Sequence, residues 1–363
     1  MVLFNVARVD GAFQNNDPMV AEQMAIAGMK DVKLLRLVCE TEEDIIRKAQ
    51  QADVIVTHFA GMTDKVLSAL PRLKAVVRYG VGYDCVDVEA ATRNGILVVN
   101  VPDFCFEEVS NHVMMFLLAY CKKIALLNAL TKEGCWEKAK MSLEPMRCLH
   151  GETLGIIGCG NNGRHTARKA KALNMRVIGY DKYLPKGIGE AAGIEMVSLQ
   201  EVYQQADYIS LHVALTDETH HLIDLDAFRQ MRKNCVIINT SRGPVIKEAD
   251  LIRALESGMI EGACLDVFER EPVDPKNPLL QMEQVLVTPH DASYSDEAFL
   301  LLKNAVMEEA LRIKNREQPR NVVNKDVLKR NNLRLYADQT KGSEENYEEA
   351  GLRLYASSYG GRK

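Results

Sequence analysis

Thr153-Leu-Gly-Ile-Ile-Gly158-Cys159-Gly160-Asn161-Asn162-Gly163 is the stretch that decides the fold. Thr153 to Ile157 is a short apolar run of strand type, and Arg164 to Leu173 behind it is a helix former. Between them Gly158, Gly160 and Gly163 complete a G-x-G-x-x-G pattern, and Asp181 follows 18 residues after Gly163 at the end of the next apolar strand. Glycines collect in many turns, so it is this strand-turn-helix-strand-acid context that gives the pattern meaning. Gly158 permits the tight turn, Gly160 lets the backbone approach a pyrophosphate, and Gly163 allows helix to pack on strand. The helix start, with Asn161 and Asn162, offers N–H groups to phosphates. Asp181 would accept hydrogen bonds from an adenosine ribose, and its charge would repel a 2′-phosphate, which favours NAD over NADP; Lys182 slightly opposes that preference.

On both sides of this turn the chain alternates strands and helices, the signature of parallel sheets. After it come Arg176 to Tyr180, Tyr208 to Leu211, Cys235 to Asn239, Gly262 to Asp266 and Val285 to Thr288, which with Thr153 to Ile157 make the six strands of a dinucleotide-binding sheet. Before it, Val2 to Val9, Lys33 to Val38, Asp53 to Thr57, Leu73 to Val77 and Ile96 to Asn100 form a separate series. One long apolar helix is expected from Glu107 to Leu130, a connecting segment with the single Trp136 from Thr131 to Leu149, and an amphipathic helix from Ser295 to Asn315. After about Lys329 the composition changes, and Leu-Arg-Leu-Tyr-Ala occurs twice, at 333 to 337 and 352 to 356, so a flexible tail is expected.

A chain of 363 residues exceeds what one core accommodates, and two domains imply a cleft. With 47% hydrophobic and 26% charged residues it has the composition of a soluble globular protein, and no apolar run is long enough for a membrane span. The start, Met1 to Val6, reads as a buried strand rather than a leader, which points to the cytoplasm. A net charge of −5 offers no basic field for nucleic acid. The nine cysteines are scattered without a C-x-x-C pair and read as thiols in apolar surroundings, with no metal site expected.

Seven ordered segments resemble the D-isomer-specific 2-hydroxyacid dehydrogenase family: Gly80-Val-Gly-Tyr-Asp84 with Asp87; Gly95-Ile96 with Asn100-Val-Pro102; Gly151 to Gly158; His212-Val-Ala-Leu-Thr216; Asn239-Thr-Ser-Arg-Gly243; Leu265 to Pro272; and Thr288-Pro-His290. The resemblance spans roughly residues 50 to 327. It implies an α/β protein in which a Rossmann dinucleotide-binding domain (103–293) is inserted into a flavodoxin-like substrate domain (1–102, completed by a C-terminal helix at 294–328), leaving a tail at 329–363. It also implies a homodimer joined through the cofactor domains, a small 2-keto or 2-hydroxy acid as substrate, and NAD as cofactor.

The chemistry of such a reaction agrees with the residues. Reducing a 2-keto acid needs a cation for the carboxylate and keto oxygen, an acid that protonates that oxygen as hydride arrives, and a neighbour that keeps the acid charged. Arg242 follows a buried strand, where ligands bind in open α/β sheets, and its planar fork can hold a carboxylate. His290 likewise ends a strand, and imidazoles exchange protons near neutrality. Glu271 would orient His290 and keep it protonated; Glu269 competes for that role, but the position before Pro272 is the one that matches the family. By resemblance, Asp266 contacts the nicotinamide carboxamide, Thr240 and Ser241 pass the nicotinamide, and His212, Val213 and Ala214 line the cofactor. The N–H groups of Val81 and Gly82 are candidates for the substrate carboxylate, with Arg78 as a second cation.

In detail, His58, Arg78 before Tyr-Gly-Val-Gly, Tyr294-Ser295 and Asn321-Val-Val-Asn-Lys-Asp326 are similar to the C-terminal-binding-protein branch, NAD-sensing transcriptional corepressors. The chain departs from that branch at Ser293, where a tryptophan is usual, and in carrying Asp291 directly after His290. Asn161-Asn162 replaces a basic-plus-aliphatic pair, which bears on cofactor affinity rather than fold. An NAD(H)-sensing binding protein and a short-form 3-phosphoglycerate dehydrogenase therefore stand as alternatives to an active 2-hydroxyacid dehydrogenase.

Overall fold

A computed structural model describes residues 3–11 and 18–335. The chain divides into two compact units, one of Met1–Phe104 with Asp296–Lys363 and the other of Cys105–Ser295. In the first unit five parallel strands, β1 (Phe4–Arg8), β2 (Val32–Arg36), β3 (Val54–Thr57), β4 (Ala75–Arg78) and β5 (Leu97–Val99), stand in the order β2-β1-β3-β4-β5. That is the flavodoxin order, and both faces are covered, so the strands read as continuous apolar runs. Alternate residues serve opposite faces: Val6, Val54, Val56, Val77 and Val99 join one core, and Ala7, Ile55, Val76 and Val98 the other. The helix Asp296–Lys314 closes the first face with Leu302, Val306, Met307, Ala310 and Ile313.

Asn321-Val-Val-Asn acquires a structural task here. Asn324 Oδ1 accepts the Val98 N–H at 2.8 Å and its Nδ2 donates to Ile96 O at 2.9 Å, so a side-chain amide pairs backbone at the sheet edge. The expectation of a flexible tail from 329 is corrected for its first residues. Leu333 and Leu335 are buried in the core, the Arg334 N–H donates to Gly95 O at 2.9 Å, and its Nη1 donates to Leu70 O at 2.8 Å. Apolar residues two apart present one face to the core, which composition alone did not reveal. The second Leu-Arg-Leu-Tyr-Ala copy lies outside the described residues.

The second unit holds β6 (Thr153–Ile157), β7 (Arg176–Tyr180), β8 (Glu195–Met196), β9 (Tyr208–Leu211), β10 (Val236–Asn239), β11 (Gly262–Leu265) and β12 (Val285–Val287). All pair in parallel, in the order β12-β11-β10-β9-β6-β7-β8. The order reverses between β6 and β9, the switch point beside which such sheets bind ligands at the carboxyl ends of strands. The two-residue β8, a short edge strand, was not foreseen. The helices Phe106–Cys121 and Asn161–Ala172 cover one face through Val113, Phe116, Leu117, Ala167 and Ala170. The opposite face is covered by Val202, Phe228, Leu251 and Leu255.

The single helix expected over Glu107 to Leu130 is two helices, Phe106–Cys121 and Ile124–Lys132, bent by 62°. Lys123 between them is left-handed, with φ 49°, which ends the first helix and redirects the chain. The segment expected to be a connection contains a further short helix, Trp136–Met141. Among the described residues no single helix is long and apolar enough to cross a membrane. Six cysteines are buried and Cys85 is partly so, whereas Cys135 and Cys148 are exposed; all nine are free thiols.

Candidate active site

Each glycine of the turn after β6 has its own geometric reason. Gly158 has φ 93°, and a Cβ there would stand 2.7 Å from the His212 backbone. A Cβ at Gly163 would stand 2.2 Å from Gly158 O, whereas one at Gly160 would meet no protein atom within 4 Å. Gly160 caps the helix Asn161–Ala172 and, having no side chain, offers its first-turn N–H groups no acceptor. The Asn162 Oδ1 and Thr240 Oγ1 atoms are buried without a protein partner. An open cradle with orphaned polar atoms is what a dinucleotide would fill, and the residues present fit one.

Around the turn, Asn161 Oδ1 accepts from Arg164 Nη2 at 2.6 Å. Asp181 accepts the N–H groups of Cys159 at 2.8 Å and of Tyr183 and Leu184 at 2.9 Å, which fixes its carboxylate beside the glycines and leaves acceptor capacity on its two oxygens. Lys182 is paired with Glu218 at 2.9 Å, which partly neutralises the cation that opposed the preference for NAD. His212 meets Ser210 Oγ through Nε2 at 2.9 Å, and desolvation pushes its imidazole down to about 4, so it is neutral at physiological pH. Val213 is half-buried and Ala214 exposed beyond it.

Arg242 stands on the turn after β10. Asn239 shapes that turn, donating from Nδ2 to Arg242 O at 2.9 Å and accepting at Oδ1 from the Ser241 N–H at 3.0 Å and hydroxyl at 2.8 Å. The Arg242 guanidinium donates to Ser241 O at 2.7 Å. Gly243 lies so near the loop after β11 that a Cβ would stand 1.8 Å from Phe268 O. That loop carries Glu271, whose Oε1 accepts the Phe268 N–H at 3.0 Å and whose Oε2 meets His290 Nδ1 at 2.6 Å. His290 is left-handed, with φ 60°, a conformation histidine adopts when its surroundings impose it.

Asp266 supplies that imposition. It is 1% exposed, its carbonyl accepts the His290 N–H at 2.8 Å, and its carboxylate accepts from Thr288 Oγ1 at 2.6 Å and from the N–H groups of Asp291 and Ala292 at 2.9 Å. Asp266 therefore fastens the turn that aims His290, a task its sequence position did not disclose. His112 joins from the helix Phe106–Cys121, with Nε2 2.9 Å from Thr288 Oγ1. Potential ligand atoms of His112, Asp266 and Asp291 come within 4.8 Å of one another, but with the Thr288 proton directed at Asp266, His112 Nε2 must donate rather than ligate. Burial, and then the facing Asp266 carboxylate, raise the carboxyl pKa of Asp291. Glu269, the rival of Glu271, pairs with His221 instead, at 2.5 Å.

In the first unit, Arg78 ends β4 nearly buried, donates to Tyr79 O and lies 5.9 Å from the Phe59 ring centroid. Gly80, with φ 129°, leaves room for its guanidinium, since a Cβ would stand 1.8 Å from Nη1. Asn100 Nδ2 holds Val81 O at 2.6 Å, bracing the turn that carries Val81 and Gly82. Asp10 gathers the N–H groups of His58, Phe59 and Ala60 at 2.8 to 3.2 Å, and the His58 ring stacks on Phe59 with centroids 4.2 Å apart.

Comparison with known proteins gives the family. The profile described as "D-isomer specific 2-hydroxyacid dehydrogenase, NAD binding domain" covers residues 114–292. The glyoxylate reductase of Korarchaeum cryptofilum is 38% identical over 290 residues, 78% of this chain and 86% of that protein. The D-3-phosphoglycerate dehydrogenase of Methanocaldococcus jannaschii is 40% identical over 288 residues, but the aligned region spans only 54% of its length. Among solved structures, the D-lactate dehydrogenase of Aquifex aeolicus, complexed with NAD and lactic acid, superposes with a TM-score of 0.75 at 26% identity, covering 88% of this chain and 99% of that one. The chain belongs to the D-isomer-specific 2-hydroxyacid dehydrogenase family, NAD-binding oxidoreductases that interconvert 2-keto acids and D-2-hydroxy acids.

Proposed function

We propose that Arg242, Glu271 and His290 are the reacting set of this oxidoreductase and that its substrate is a small 2-keto acid such as glyoxylate. The observation that carries this reading is the 2.6 Å contact of His290 Nδ1 with Glu271 Oε2. With Nδ1–H directed at a carboxylate, the ring is fixed in orientation and the proton it can transfer sits on Nε2. NADH, when bound, supplies a hydride to the keto carbon. His290 Nε2 gives its proton to the keto oxygen, Arg242 steadies the substrate carboxylate and the developing charge, and the neutral imidazole then regains a proton from water. In the reverse direction neutral His290 takes the hydroxyl proton.

The same reading assigns the cofactor to Gly158, Gly160, Asn161, Asn162 and Gly163, with Asp181 on the adenosine ribose. His212, Val213, Ala214, Thr240, Ser241 and Asp266 serve the rest of the dinucleotide, and Arg78 with the N–H groups of Val81 and Gly82 takes the substrate carboxylate. Asp181 selects NADH over NADPH. Exposed Met115, Leu118, Ile124, Leu126, Trp136 and Met141, all on consecutive helices of the second unit, support a homodimer formed through that unit.

The test is NADH oxidation with glyoxylate, hydroxypyruvate, pyruvate, phenylpyruvate and 3-phosphohydroxypyruvate, beside His290→Ala and Arg242→Ala. Turnover lost in either variant supports the reading, and the panel ranks the acids, with a clear preference for the phosphorylated one favouring a phosphoglycerate dehydrogenase. NADH binding without turnover on any acid would favour a nucleotide-sensing binding protein instead.

A further inference from the structure

The loop that carries Glu271 carries a second histidine-carboxylate pair. His221, between β9 and the helix Leu225–Gln230, meets Glu269 Oε1 through Nε2 at 2.5 Å. Its backbone is left-handed, with φ 55°, as is that of His290. Its N–H donates to Pro244 O at 2.8 Å. Pro244 lies two residues after Arg242, and Glu269 two residues before Glu271. One strained residue is therefore bonded through its backbone to the Arg242 turn and through its ring to the Glu271 loop.

Glu269 is held from its other side as well. Its Oε2 accepts the Glu248 N–H at 3.1 Å, its own N–H donates to Glu248 Oε2 at 3.2 Å, and Glu248 Oε1 accepts from Asn277 Nδ2 at 2.7 Å. The His220 ring lies against that of His221, with centroids 3.8 Å apart. An ordinary exposed ion pair has neither a strained backbone nor bonds to two separate loops, and contributes little.

We propose that His221 and Glu269 are positioning residues, a brace that fixes the spacing between Arg242 and the Glu271–His290 pair. This rests on the assignment of those three as the reacting set. Loss of the brace lets the Arg242 turn and the Glu271 loop drift apart, and displacements near 1 Å at a reacting centre cost up to about 100-fold in rate.

The experiment compares wild type, His221→Ala, Glu269→Ala, their double variant, Glu269→Gln and His290→Ala with glyoxylate and NADH. Each alanine variant is expected to lower kcat by about 10- to 100-fold while the KM for glyoxylate moves less and NADH affinity stays near wild type. The double variant should be no worse than either single, as for a pair acting as a unit, and Glu269→Gln, which keeps an acceptor for the ring but gives up the one for the Glu248 N–H, should lose less of kcat than Glu269→Ala. Near-wild-type kcat in the alanine variants, multiplicative losses, or parallel loss of NADH binding and thermal stability would overturn the brace. If that happens while His290→Ala is inactive, only the brace fails. If His290→Ala retains full activity, the reacting set fails and the brace with it.

Discussion

Replacing Gly160 by alanine separates binding from folding in a way the geometry quantifies. Gly160 has φ −64°, which alanine adopts without strain, and its Cβ would meet no protein atom within 4 Å. The free protein should therefore be as stable as wild type, or more so by roughly 0.4–1 kcal/mol, because alanine restricts the unfolded chain. A methyl group there occupies the space from which a pyrophosphate would reach the helix N–H groups. Losing one hydrogen bond to a charged phosphate costs about 1.5–3 kcal/mol, and at about 1.4 kcal/mol per decade NADH affinity should fall roughly 10- to 150-fold. Gly163→Ala is the contrast, since its Cβ would stand 2.2 Å from Gly158 O and the helix must move, so that variant should lose about 1–3 kcal/mol even without cofactor. NADH fluorescence titration and cofactor-free thermal melts read the two effects. Gly160→Ala that binds NADH like wild type would refute the pyrophosphate path, and Gly160→Ala that melts many degrees lower would refute the open space.

Other predictions concern charge and packing. Glu271→Gln keeps the shape of the contact to His290 but removes its charge, so kcat on the preferred keto acid should fall by about 10- to 150-fold with little change in NADH affinity; an unchanged kcat would remove Glu271 from the chemistry. His212 has its pKa pushed down to about 4 in the folded chain from an ordinary 6.5, so between those pH values the unfolded chain binds the extra proton and stability falls as pH falls. The loss should reach on the order of 3 kcal/mol near pH 4, and urea melts of cofactor-free His212→Gln across that window should show a flatter pH dependence than wild type. Leu335→Ala, at a side chain 2% exposed, should destabilise the first unit by about 2–4 kcal/mol by urea titration, where an unpacked tail would register almost nothing.

Much of this was legible in the sequence because it is governed by local rules. The three glycines, the strand periodicity and the acid after β7 each follow from what one backbone position requires, and they appear where those requirements put them. The choice of Glu271 over Glu269 rests instead on the family resemblance at the position before Pro272, and the structure gives each glutamate a different histidine. What stayed hidden depends on partners distant in sequence. Nothing near Asp266 announces that its carboxylate gathers Thr288, Asp291 and Ala292, and nothing near His221 or His290 announces a left-handed backbone. The bend at Lys123 and the burial of Leu333 and Leu335 were missed for the same reason: helix propensity and tail composition are weak guides once tertiary contacts outweigh them.

The first unit is made of two stretches separated by the whole of the second, and this orders its birth on the ribosome. Its sheet is complete by β5, yet one face, met before then by little more than Ala25 and Ile26, waits for Leu302, Val306, Met307, Ala310 and Ile313. At ~5–20 residues per second, synthesis of the intervening Cys105–Ser295 leaves that apolar face exposed for roughly 10 to 40 s. The second unit, continuous in sequence, can close its sheet meanwhile. The nascent chain is thus most vulnerable to aggregation in the stretch up to β5, which is made well before the helix that completes its cover.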